Sequence, residues 1–172
     1  MTGVQTCALP ICDKSKQTIE ITLDIIRTLL DHSEYWVRQD ALNILKKIYL
    51  IRPDKFDPLI EKIESKLFDS DKKVRESAVM LIETILKRSM DLYPELYLSY
   101  ARMFEDTSWT VRAKALQGVL SFISRESKPP TGMIEAFVEN IQQLLQDPDE
   151  EVRGLATEVL RSLIFHLPSN KV

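Results

Sequence analysis

The 172-residue sequence is poor in the residues from which most enzyme sites are built. It has two histidines, His32 and His166, and two isolated histidines cannot make the usual zinc or iron site. Its two cysteines, Cys7 and Cys12, both fall in the first twelve residues, so they support neither a disulfide framework nor a thiolate metal site. Only four glycines occur, and none forms a glycine-rich phosphate loop. No uninterrupted apolar run approaches the roughly 20 residues that a membrane span requires, which makes the cytoplasm the expected location. The net charge is -3, close to balance for a chain with 23 basic and 26 acidic side chains.

Charge is also missing from the opening stretch, "MTGVQTCALPIC". It lacks the basic start of a signal peptide, and Pro10 interrupts its short apolar run. Thr2 to Ile11 is instead similar to a translated sequencing-library adapter, ACT GGA GTT CAG ACG TGT GCT CTT CCG ATC, with a preceding GTG read as Met1. Residues 1–12 are therefore expected to be a non-native leader and junction. Residues 13–172 are expected to be one native repeat array, a fragment of a longer chain of environmental origin.

What is present is an ordinary balance of 44% hydrophobic and 28% charged residues, enough to bury a sizeable core. Four segments align without gaps: "HSEYWVRQDAL", "DSDKKVRESAV", "DTSWTVRAKAL" and "DPDEEVRGLAT". Each holds Val-Arg with an Ala three residues beyond the Arg. The valines are Val37, Val74, Val111 and Val152, spaced by 37, 37 and 41 residues, a period that marks a helical repeat array.

Downstream of each Val, apolar residues recur at helical spacing: Ala41, Leu45, Ile48, Tyr49; Ala78, Ile82, Ile85, Leu86; Ala115, Val119, Phe122, Ile123; Ala156, Leu160, Leu163, Ile164. Upstream runs a second stripe: Ile19, Leu23, Ile26, Leu30; Phe56, Ile60, Ile63, Leu67; Tyr93, Tyr97, Tyr100, Phe104; Ile134, Val138, Ile141, Leu145. Each repeat therefore reads as a two-helix hairpin, with approximate limits 13–52, 53–89, 90–126 and 127–168. Asp147 and Pro148 fit an N-cap and first helical position, with Glu150 completing a capping box, and Asp69 and Asp106 take the same place. One hairpin cannot bury its own stripes, so the four must stack into a continuous core. The small Ala after each Val-Arg pair suits close helix crossing.

This pattern resembles the HEAT repeats of transport receptors, phosphatase scaffolds, adaptor large chains and condensin subunits, over nearly all of residues 13–172. The resemblance implies an all-α fold, a right-handed α-solenoid of four HEAT-type hairpins with about eight helices. It also implies a ladder in which Asp69, Asp106 and Asp147 bond Arg38, Arg75, Arg112 and Arg153 of neighbouring repeats. His32 departs from the pattern, standing where Asp is expected.

HEAT arrays mostly bind proteins on a concave surface lined by the second helices, so a non-catalytic scaffold or adaptor role is expected, without metal or cofactor. The outward ridge carries Asn43, Lys46, Glu76, Met80, Glu83, Lys87, Gln117, Leu120, Glu158 and Arg161 as candidate partner contacts. Gln39, Leu50, Ala113, Ser124, Gly154 and Phe165 share that ridge. Its mixture of polar and apolar groups suits a partner peptide or helix.

Hydroxylases on HEAT-like repeats use His-Glu pairs, and neither histidine is followed by Glu. A nucleic-acid-associated HEAT protein, or the accessory arm of an enzyme, is the alternative. Counted from three residues before each Val, the second helices carry +1, +2, +3 and -2, and the first helices sum to -4. Four of the positive charges are the ladder arginines, however, and phosphate binding wants a clustered basic face. Trp36 and Trp109, at the hairpin turns, either cover the ends of the core or form an exposed binding edge.

Overall fold

The computed structural model describes residues 10–89, 92–93, 95–123 and 131–164, with no strand among them. Eight α-helices follow one another: α1 (Pro10–Leu29), α2 (Tyr35–Ile51), α3 (Ile60–Ser65), α4 (Lys72–Ser89), α5 (Leu96–Ala101), α6 (Trp109–Ile123), α7 (Thr131–Gln143) and α8 (Glu150–Ile164). They form four successive hairpins, and the second helices stack in a row, α2 on α4, α4 on α6 and α6 on α8. The result is an α-solenoid with one core running through it. Residues 1–9 of the expected leader lie outside the described residues, as do Ser124, Phe165 and His166. The first helix already starts at Pro10, inside the stretch assigned to the leader and junction.

The two apolar stripes explain the stacking. Val74, Val111 and Val152, the four alanines Ala41, Ala78, Ala115 and Ala156, and Leu45, Ile82 and Val119 on the second helices are all buried. Phe56, Ile63, Tyr100, Phe104, Ile134 and Ile141 bury from the other layer. Aromatic rings fill the larger gaps: Tyr49 meets Phe56 edge-on at 4.9 Å between centroids, and Phe104 meets Phe137 at 5.4 Å. Such offset and edge-to-face contacts favour aromatic pairs beyond simple area burial.

Two expectations about the first layer are corrected. The second and third repeats do not run one unbroken α-helix from Phe56 to Leu67 or from Tyr93 to Phe104. In the second repeat, 3-10 turns at Pro53–Lys55 and Asp57–Leu59 precede α3, and another at Lys66–Phe68 follows it. Pro58 has no N–H to donate and its ring excludes a carbonyl one turn back, so regular helix begins only beyond it. In the third, α5 gives way to a 3-10 segment at Arg102–Glu105.

The second correction concerns Leu145. Its counterparts Leu30, Leu67 and Phe104 are fully buried, whereas Leu145 is 42% exposed and Leu144 turns inward instead. Among the described residues no hairpin follows the fourth to cover that position. A matching contrast stands at the other end: Ile44 is 43% exposed, while Leu81 and Val159, at the same register of later repeats, are buried.

Candidate functional site

The hairpin turns are built from one repeated arrangement. Asp69 Oδ1 accepts from the backbone N of Asp71 at 3.0 Å, Asp106 Oδ1 from Ser108 at 2.8 Å, and Asp147 Oδ1 from Asp149 at 2.9 Å. These aspartates close the turn but do not cap the helix, which corrects the expected capping box. The caps come two residues later: Asp149 Oδ1 accepts from Glu151 N at 3.0 Å and Val152 N at 3.3 Å, and Asp71 Oδ1 accepts from Lys73 N at 2.8 Å. A carboxylate there satisfies helix N–H groups that have no partner within the helix.

Each turn aspartate also receives an arginine from the preceding hairpin. Arg38 donates to Asp69 from Nε at 2.8 Å and from Nη2 at 2.7 Å. Arg75 pairs with Asp106 at 2.6 and 2.8 Å, and Arg112 with Asp147 at 2.7 and 2.8 Å. The third nitrogen stays at home: Arg75 Nη1 donates to Asp69 O at 2.9 Å and Arg112 Nη1 to Asp106 O at 2.7 Å. Such forked, charge-assisted pairs fix geometry as well as energy. Burial alone would raise the Asp69 and Asp147 carboxyls, but the Arg38 and Arg112 guanidinium groups hold both below the ordinary carboxylate value.

The two ends of the row differ. Arg153 Nη1 donates to Asp147 O at 2.7 Å and Pro148 O at 2.9 Å, and among the described residues no carboxylate meets the rest of its fork. His32 performs half of the aspartate's work, because its Nδ1 accepts from Glu34 N at 3.1 Å and so closes the first turn. Its neighbour Asp31 bonds Lys62 and Lys66 instead, and the Lys62 hydrogen bond is the main influence holding that carboxyl low.

Along the ridge of the second helices, Asn43, Lys46, Met80 and Leu120 are half-buried, and Gln117, Glu158 and Arg161 are exposed. Three ridge residues are engaged within the protein. Glu83 Oε1 accepts from Ser121 Oγ at 2.7 Å and pairs with Lys87 Nζ at 2.7 Å, and Glu76 accepts a hydrogen bond from Thr110. Ala113, expected on the ridge, is buried. Met80 and Leu120 are thus half-buried apolar members of the ridge, and Leu120 packs partly against the core.

The turn edge holds a second set of groups, less visible in the sequence. Trp36 is 54% exposed and Trp109 44%, and Tyr35, next to Trp36 in the chain, is exposed as well, so these rings do not close the ends of the core. Trp109 borders two grooves. One, of about 620 Å³, runs along the ladder past Glu105, Asn140 and Asp149. The other, of about 230 Å³, lies on the ridge side with Glu76, Gln117 and Glu151.

Comparison with known proteins sharpens the class. Residues 24–172 match the family described as sister chromatid cohesion protein PDS5. The AP-1 complex subunit beta of Dictyostelium discoideum is 24% identical over 163 residues, covering 95% of this chain and 17% of that protein. This chain thus spans well under a fifth of such a relative's length. Among solved structures, an engineered protein superposes with a TM-score of 0.64 at 17% identity, over 83% of this chain and 62% of the other. A designed armadillo repeat protein in complex with the peptide (KR)4 gives a TM-score of 0.60 at 18% identity, over 80% and 62%. The fold is a HEAT- and armadillo-like solenoid.

Proposed function

The chain belongs to the PDS5 sister chromatid cohesion family, and on that premise we propose that it is a non-catalytic scaffold that binds a protein partner along the ridge of its second helices. The observation carrying this is that Met80 and Leu120 are only half-buried at ridge positions of α4 and α6, on a ridge whose other members include Asn43, Lys46, Gln117, Glu158 and Arg161. Such a mixture of apolar and polar groups suits an extended peptide or an amphipathic helix. No catalytic group, metal or cofactor is part of the proposal. The exposed Ile21, Ile25, Ile44 and Ile51 support reading the array as one part of a longer solenoid.

The family's name favours a second reading, a chromosome-organising protein that touches nucleic acid itself. Electrostatics weighs against direct contact. Arg38, Arg75 and Arg112 are each forked onto an aspartate, so much of the positive charge of the second helices is neutralised within the protein. Phosphate binding depends on cations free to displace counterions. Work beside chromosomes would then run through a protein partner, and the cytoplasmic location first expected stays a proposal beside that one. A role as accessory arm of an enzyme is the third and weakest reading.

Affinity capture from a chromatin extract tests the proposal, using the wild type and a Met80→Glu, Leu120→Glu double variant. The wild type is expected to retain a discrete protein that the folded double variant loses. Retention of duplex DNA by both, with steep loss between 50 and 200 mM salt, would instead support the nucleic-acid reading.

A further inference from the structure

Tyr35 and Trp109 occupy the same register, two residues before Val37 and Val111 of their repeats. In the first pair of hairpins the ring at this position is met by a cation from the next hairpin: Lys73 Nζ stands 5.7 Å from the centroid of the Tyr35 ring. That lies within the range in which a cation is attracted to an aromatic face. Lys73 sits one residue before Val74. The same register in the fourth hairpin, one residue before Val152, is Glu151.

Two neighbouring hairpins therefore hold a ring and an ammonium, while two others hold a larger ring and a carboxylate. Trp109 and Glu151 line one groove, together with Glu76 and Gln117. Lys114 lines it too, so its balance is two carboxylates against one ammonium. Among the described residues no cation stands over the Trp109 ring, and the ring also borders the groove lined by Glu105 and Asp149, where Arg112 is already forked onto Asp147. An indole is the best aromatic partner for a cation. Carboxylates in both grooves supply the charge that a lysine or arginine would need once out of bulk water.

We propose that the Trp109 groove takes a lysine or arginine side chain from a partner protein, filling between the third and fourth hairpins the place that Lys73 fills between the first and second. The proposal rests on the protein-binding reading; Glu76 and Gln117 belong to both groove and ridge, whereas Trp109 and Glu151 belong to the groove alone. It assigns the groove one occupant, a basic side chain on a peptide, by charge complementarity and by the protein's own internal precedent. It also gives the turn edge a role that the ladder alone leaves unexplained.

The test uses the full chain carrying Trp36→Phe, which leaves Trp109 as its single tryptophan, titrated with a hexa-arginine peptide at low salt. A saturable change in Trp109 emission is expected. Glu151→Lys, which recreates the Lys73 arrangement, should weaken the affinity at least tenfold, and Glu151→Gln at least threefold. Glu139→Lys makes the same charge change at an exposed position of α7 and should stay within twofold, which separates a site from general attraction. No saturable change, or equal weakening by Glu151→Lys and Glu139→Lys, would overturn the proposal. None of these variants alters Met80 or Leu120, so the groove and that apolar pair can fail separately.

Discussion

Arg75 and Asp106 lie in successive hairpins, and their side chains meet twice, Nε to Oδ2 at 2.6 Å and Nη2 to Oδ1 at 2.8 Å. The same aspartate accepts from Ser108 N at 2.8 Å, so one carboxylate both closes its own turn and binds the hairpin before it. Both side chains are largely buried. Registration between repeats and shape of the turn are thus fixed by one group.

Removing that group should be costly. Asp106→Ala leaves a buried guanidinium unpaired and a turn N–H unsatisfied, which is expected to cost about 3 kcal/mol of unfolding free energy. Arg153→Ala, at the open end of the row, should cost about 1 kcal/mol or less, because only the bonds to Asp147 O and Pro148 O are lost. Urea denaturation of the two variants checks the ranking. Equal losses would mean that the forked pairs do not couple neighbouring hairpins.

The alanines make a second prediction. Ala78 and Ala115 are fully buried where the second helices cross. Leucine at either position should cost on the order of 1 to 3 kcal/mol through overpacking. A thermal melt unchanged by Ala115→Leu would contradict the close stacking of α6 with its neighbours.

Gly118 makes a third prediction, one with an informative sign. A Cβ at this position would stand 1.9 Å from the Tyr100 hydroxyl, which donates to Ala115 O at 3.0 Å. In an exposed helix, alanine in place of glycine would stabilise by about 1 kcal/mol. Here Gly118→Ala should lower the melting temperature, because the buried Tyr100 must move and its hydroxyl loses its acceptor. A rise in melting temperature would show that the ring adapts freely.

Acid should loosen the ladder. The folded Asp69 and Asp147 carboxyls are held below their ordinary value, since the arginine hydrogen bonds outweigh the opposing effect of burial. Their contribution is complete above the unfolded carboxylate value of about 4, and it is lost as pH falls through the lower folded values. The melting temperature should therefore fall below about pH 4. Asp147→Asn should start lower at pH 7 and decline less steeply. A melting temperature that rises on acidification would contradict the assignment.

Much of this architecture can be read from the sequence because a solenoid repeats one local solution. Val-Arg with its following Ala marks every second helix, and the turn aspartates stand at fixed distance from it. What escaped depends on geometry that periodicity does not carry. Asp147 and Asp149 are both plausible caps by composition, and only the turn's path decides that the second bonds the helix. Leu145 follows the apolar stripe, yet its burial depends on a neighbour rather than on its own helix. The approach of Tyr100 to Gly118 joins residues in different helices and leaves no periodic trace. The exposure of Trp109 follows the same rule, since either role for that ring fits the same spacing. His32 is the reverse case: the substitution is visible, but that its ring nitrogen would replace a carboxylate oxygen in the turn is not.

Site-specific photocrosslinking tests the central claim most directly. Benzoylphenylalanine would be placed at Leu120 on the ridge in one sample and at exposed Leu98 on α5 in another, each in the presence of a chromatin extract. A discrete protein adduct at Leu120, absent at Leu98 and lost on adding Met80→Glu, is the expected result. Equal adducts from both positions, or adducts to DNA alone, would contradict a protein-binding ridge.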